Sequence, residues 1–154
     1  MNEPLDEATL LRLEATFEAW LSEQLETNPA VASVEREETG ERWWFVRLLG
    51  DAKDVFTVRF YLRQRTLFYE TYVMPAPAEN SEELYAYLLR RNSKLYGGAF
   101  CIGAEDAIYL QGQIAASEID HPDELDRILG SLYVWVEDSF QRMIRIGFAS
   151  KFTS

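Results

Sequence analysis

The apolar residues of this chain change period at one place, and that change limits the folds open to it. Over residues 6–27, Leu10, Leu13, Phe17, Trp20, Leu21 and Leu25 recur at spacings of three and four, which predicts a helix with one apolar face. Asn28-Pro29 ends it, because the residue before a proline avoids the helical region. From Val31 onward the period is two. Strands are predicted over 31–37, 42–49, 54–62 and 66–73, with Phe56, Val58, Phe60 and Leu62 facing one way and Thr57, Arg59 and Tyr61 the other. The turns between them are short: Glu38-Thr39-Gly40, Gly50-Asp51-Ala52-Lys53 and Arg63-Gln64-Arg65. Such short turns make neighbours antiparallel, so this stretch reads as a meander.

The period changes again after Met74. Pro75 and Pro77 make residues 74–78 an extended linker. Asn80 with Glu83 three residues on resembles a capping box, and a helix is predicted over 80–92, with Leu95 as its outer limit. Gly97-Gly98 breaks the pattern. Strands are predicted over 99–102 and 107–114, around the turn Gly103-Ala104-Glu105-Asp106. A last long helix starts at Pro122, a favoured first helical position, and ends near Gly147. The order is helix, about four strands, helix, two strands, helix. That segregation predicts an α+β fold with an antiparallel sheet flanked by helices on one face. The other face carries Arg47, Thr57, Arg59 and Glu70 and is expected to meet solvent or a partner.

Composition narrows the function more than the fold. The 154 residues are expected to form one domain, 1–154, with its core built without staples. One Cys and one His exclude a disulfide framework and a structural zinc site. Fifteen basic against 26 acidic residues give a net charge of −11, which repels phosphate backbones and anionic membranes. No nucleic-acid or membrane partner is expected. The first six residues hold no basic or apolar segment, so no signal peptide is expected and the predicted compartment is the cytoplasm.

Catalytic patterns are missing. Cys101 lies in the apolar run Ala99-Phe100-Cys101-Ile102 and reads as a small buried hydrophobe, while His121 belongs to a helix start. Glu105-Asp106 reads as a polar turn. No phosphate loop, nucleophile elbow or His-Glu-x-x-His helix occurs. No catalytic residue, metal site or cofactor is predicted. Arg90, Arg91 and Lys94 sit at a helix end, where cations complement the dipole, and can also rim a docking surface. One feature exceeds what packing needs. In the middle helix Leu84, Tyr85, Tyr87, Leu88, Leu89, Leu95 and Tyr96 span about 200°, against a stripe of little over 100° for a helix lying on a sheet. Tyr85, Leu89 and Tyr96 form the excess flank, which calls for a second surface inside the domain or outside it.

Five separated motifs then occur together. They are the linker and helix Met74-Pro75-Ala76-Pro77 and Leu84-Tyr85-Ala86-Tyr87-Leu88, the strand Asp106-Ala107-Ile108-Tyr109-Leu110-Gln111-Gly112, the helix start Glu124-Leu125 to Gly130, and Ile146-Gly147-Phe148. In this order they resemble the YbjN family, labelled bacterial sensory transduction regulators, over about residues 30–150, behind the helix at 6–27. The resemblance implies a fold like that of type III secretion chaperones, many of which dimerise or bind client segments. It implies no catalytic residues and no DNA-binding element. The motif residues also have folding roles to expect: Asn80 capping the middle helix with Glu79 near its positive end, Gly130 allowing close helix approach, and Gly147 ending the last helix.

The reading is therefore a non-enzymatic protein-interaction or chaperone-like module without cofactor, with an unidentified protein partner. Its expected surface is Tyr85, Leu89 and Tyr96, rimmed by Arg90 and Arg91. Two alternatives stand beside it: a small-molecule sensor with a pocket between sheet and helices involving Glu70, Asn92 and Tyr109, and a purely structural homodimer.

Overall fold

The computed structural model describes residues 3–152. Helix α1 spans Glu7–Thr27, and Asp6 caps it, its carboxylate accepting the Thr9 N–H at 2.8 Å. Four strands follow, β1 (Val31–Arg36), β2 (Trp43–Leu49), β3 (Val55–Leu62) and β4 (Thr66–Met74). Then come α2 (Ser81–Asn92), β5 (Ala99–Ile102), β6 (Ile108–Ala115) and α3 (Pro122–Gly147). All pairings are antiparallel, and the sheet order is β1-β2-β3-β4-β6-β5. This is the expected α+β order, with element ends moved by a residue or so.

Alternation decides which side faces the helices. Trp44, Val46 and Leu48 of β2, Phe56, Val58, Phe60 and Leu62 of β3, and Leu67, Tyr69 and Val73 of β4 are all buried. Helix α1 seats Phe17 among Trp20, Trp44 and Phe60, with ring centroids 5.6, 5.0 and 5.1 Å away. Polar tips of this aromatic core are satisfied at its margins: the Trp20 indole donates to Asp126 at 2.9 Å and the Trp44 indole to Glu18 at 3.2 Å. Glu14 of α1 accepts from Arg36 at 2.7 Å and Arg42 at 3.1 Å, which ties the helix to the β1–β2 hairpin. Leu25 departs from the expected apolar face. It is 47% exposed, one turn beyond Leu21, the last α1 residue to reach the core.

Three motif residues act differently from their sequence readings. Asn80 holds a left-handed conformation (φ 55°) and its side chain makes no cap; it donates instead to the Ile146 carbonyl of α3 at 3.0 Å. Its backbone carbonyl starts α2 by accepting Leu84 N–H at 2.9 Å, and Glu82 and Glu83 meet the positive helix end. Glu79 turns away from α2 and accepts from the Ser150 hydroxyl at 2.8 Å. Gly130 faces open space, so no close approach explains it. Gly147 is where crowding occurs: a Cβ there would come within 2.9 Å of Met74 and 3.1 Å of Pro77. Its carbonyl also accepts the Ala78 and Glu79 N–H groups, at 2.9 and 3.1 Å. Gly147 therefore lets α3 dock on the proline linker.

The middle of α3 is fixed through a carboxylate. Glu137 accepts the backbone N–H groups of Asp51, Ala52 and Lys53, the last two at 3.1 and 3.0 Å. Lys53 then reaches the Val73 carbonyl at 3.0 Å, and burial pulls its pKa down. Charge-assisted bonds of this kind are stronger than neutral ones. Glu137→Ala removes the acceptor for three successive donors. Stability is expected to drop by about 1–3 kcal/mol, read as a lower denaturation midpoint with an unchanged m-value.

Candidate protein-interaction surface

Helix α2 lies at the rim of the sheet, packed on α3 and β5. Leu84 and Leu88 point into the core and are buried. On the next flank Tyr85 packs against the margin of the core, and Leu89 stays outside it. Together with Phe100 and Ile102 of β5 and Ile108 of β6, these residues bound an apolar groove of about 350 Å³. Tyr85 is half-buried in the groove wall, whereas Leu89 is 70% exposed and Ile102 52% exposed. The helix-side wall is the flank expected from sequence. The strand-side wall is not, because the edge position of β5 follows from strand order; its one signal was the short apolar run after Gly97-Gly98.

Asn92 sets the end of the groove. Its carboxamide accepts the Phe100 N–H at 2.7 Å and donates to the Phe100 carbonyl at 3.0 Å. Both contacts are to the backbone of an edge strand, whose free N–H and C=O groups are a template for pairing. One side chain from α2 thus closes the middle of that edge.

The remaining predicted residues are dispersed. Tyr96 is off the Tyr85–Leu89 flank, because α2 ends at Asn92 and the chain turns before Gly97 (φ 80°). Tyr96 is 75% exposed and carries the Arg127 guanidinium 4.8 Å over its ring. Arg90 is exposed, and Arg91 is half-buried with its Nε without a hydrogen-bond partner. The alternative pocket does not assemble. Asn92 is spent on Phe100, on the helix side of the sheet. Glu70 and Tyr109 lie on the opposite face, where Glu70 pairs with Arg59 and Tyr109 packs edge-on against Tyr72 at 5.6 Å. Alternation along β4 and β6 puts these side chains where no helix can meet them.

Nothing in the groove resembles reaction chemistry. Cys101 touches its lip, and burial, with a smaller contribution from Glu70, pushes its thiol up and away from the reactive thiolate. No hydrogen bond joins it to His121 among the described residues. Among those residues, no cluster of His, Cys, Asp and Glu could hold a metal ion, and no helix is long and apolar enough to cross a membrane.

The YbjN family, described as "Putative bacterial sensory transduction regulator", matches this chain over residues 15–144. The chain belongs to the YbjN family. An uncharacterised protein of Mycobacterium tuberculosis (strain ATCC 25618 / H37Rv) is 37% identical over 105 residues, which cover 68% of this chain and 57% of that protein. One from Mycobacterium leprae (strain TN) is 30% identical over 105 residues, covering 68% and 56%. The matched region spans little more than half the length of these relatives. Among solved structures, the Yersinia pestis type III secretion chaperone SycH, crystallised with a stable fragment of YscM2, aligns with a TM-score of 0.51. The alignment has 17% identity and covers 80% of this chain and 96% of that one. At that identity the likeness is one of fold. It agrees with the chaperone-like architecture expected from the motifs.

In this YbjN chain, Asn92→Ala leaves the Phe100 N–H and carbonyl unpaired at the groove end. Folding is expected to weaken by about 1–3 kcal/mol. The reopened edge should also associate with a second chain. Denaturation curves and light scattering across protein concentration would check both effects.

Proposed function

We propose that this chain is a non-enzymatic protein-interaction module of chaperone-like type, and that the groove between α2 and β5 takes an apolar segment of a partner protein. The observation that carries the reading is Leu89, 70% exposed in the last turn of α2 and beside an apolar groove. Exposed apolar surface bordered by charge is the usual mark of an association site. The chaperone-like fold and the co-crystallised protein fragment in the structural neighbour support this reading of the class of partner. A metabolite site would instead need convergent polar groups in its cavity. Here the groove's one amide, Asn92, is already engaged.

The experiment is a quantitative pull-down from cytoplasmic extract with wild type and the double variant Tyr85→Ser/Leu89→Ser. The variant should stay cooperatively folded, since Leu84 and Leu88 hold the helix to the core, and should lose the partner recovered by wild type. An identical list with both baits would sink the groove reading. A metabolite that raises the melting temperature of wild type would favour the sensor alternative.

A second reading, the homodimer, is favoured by the charge order of α2. Its first turn carries Glu82 and Glu83, its last Arg90 and Arg91. Glu83 and Arg90 are seven residues apart, two helical turns, and so share a face. An antiparallel second α2 would set Glu83 against Arg90 twice across a two-fold axis. Glu83→Arg alone and Arg90→Glu alone should each weaken a dimer, whereas the two variants mixed should associate again. Sedimentation equilibrium would measure this; a monomer at every concentration would remove the homodimer and leave the client reading standing.

A further inference from the structure

The sheet face away from the helices is built differently from the groove. Paired positions Trp43↔Tyr61, Tyr61↔Phe68 and Phe68↔Gln113 run in one row across β2, β3, β4 and β6. At about 4.8 Å between strands the row is roughly 14 Å long, the reach of four or five extended residues. Trp43 and Tyr61 stack in parallel, with centroids 4.2 Å apart. The Arg63 guanidinium lies over two of the rings, 5.1 Å from Tyr61 and 5.2 Å from Phe68.

The state of Arg63 separates it from the other ring-stacked arginines. Arg36 spends its donors on Glu14 and Glu18, Arg59 on Glu70, and Arg127 on Glu124. Among the described residues, Arg63 has neither an ion pair nor a side-chain hydrogen bond. Arg142 is also unspent, but lies over Tyr87 alone. Arg65, two residues on in the same tight turn, is exposed and has no carboxylate partner either. Glu41 lines the same open hollow of about 860 Å³ without pairing to either one. In a chain with 26 acidic residues against 15 basic ones, Arg63 and Arg65 line one hollow without an ion pair to Glu41 there, and Arg65 also borders a second hollow lined by Glu3 and Asp6.

We propose that this face docks an acidic segment of a protein partner, with Arg63 taking one of its carboxylates and the Trp43–Tyr61–Phe68 row taking its apolar side chains. Stacking fixes the guanidinium plane and leaves its N–H edge open, and that planar fork matches a carboxylate in bidentate geometry. A nucleic-acid backbone fits poorly, since it needs a track of cations and meets a net charge of −11. That same net charge opposes an acidic segment only at long range. The Debye length of about 8 Å at physiological salt screens distant carboxylates but not a contact. The site is on the opposite side of the sheet from the α2 groove, so the two stand or fall separately.

The test uses an acetylated, amidated peptide Asp-Phe-Glu-Leu-Glu and its neutral twin Asn-Phe-Gln-Leu-Gln, titrated into the full chain and followed by amide and indole NMR. The Trp43 indole and the Gln113 carboxamide should shift, and the acidic peptide should bind at least tenfold more tightly than the twin. Arg63→Gln should abolish that preference, and Arg63→Lys, which keeps the charge but not the fork, should restore only part of it. Equal binding of the twins to wild type would overturn the proposal without any substitution. So would an unchanged preference in Arg63→Gln, or displacement of the peptide by millimolar inorganic phosphate. Shifts confined to α2 and β5 would overturn it too, while leaving the groove reading intact.

Discussion

Strand β6 pairs with β4 along its whole length, from Thr66↔Ala115 to Met74↔Ile108, and much else follows from that ladder. By closing the second edge of β4 it pushes β5, only four residues long, to the rim of the sheet. Helix α2 joins β4 to β5 and must therefore cross near that rim. A helix over the centre of a sheet finds strands beneath most of its apolar stripe. One at the rim finds them beneath half. Leu84 and Leu88 are buried, whereas Tyr85 and Leu89 overhang a four-residue strand. The groove is thus a product of strand order, and its open side is the direction in which the sheet has no further strand.

The same ladder explains which parts could be seen in the sequence. Strand and helix periods depend on neighbours in the chain, so the element order and the inward set of β2, β3 and β4 were legible. The wide apolar span of α2 was legible too, as an excess. What it faced was not, because the place of β5 is a long-range pairing. Tyr96 shows the limit of a wheel projected past a helix end: Gly97 turns the chain, and the ring goes to Arg127. Asn80, Gly130 and Gly147 show a related limit. Each fits a local rule for caps or close approach, yet two of them are explained by contacts with distant segments: Ile146 for Asn80, and Met74 with Pro77 for Gly147. For Gly130 the structure supplies no reason. Asn92, which the alternative reading puts in a ligand pocket, closes a strand edge, since a half-buried carboxamide satisfies whichever backbone groups lie free beside it.

The two faces of the sheet solve the solvent problem in different ways. The inner face is covered by helices. The outer face has none, although Trp43, Tyr61, Phe68, Tyr72 and Tyr109 project there. Its cover consists mainly of arginines: Arg59 over Trp43, and Arg63 over Tyr61 and Phe68. A long basic side chain can shield an aromatic ring with its stem while its charged head stays in water. This arrangement keeps an aromatic face from being an aggregation hazard without an added helix. It also makes the cover conditional. A helix packed through Phe17 and Trp20 cannot leave without unfolding the core, but an exposed arginine can exchange water for a carboxylate while remaining on its ring. The outer face is therefore aromatic under a layer of charge, whereas the α2 groove is lined by apolar side chains. A partner for the first must bring charge, and a partner for the second must bring apolar surface.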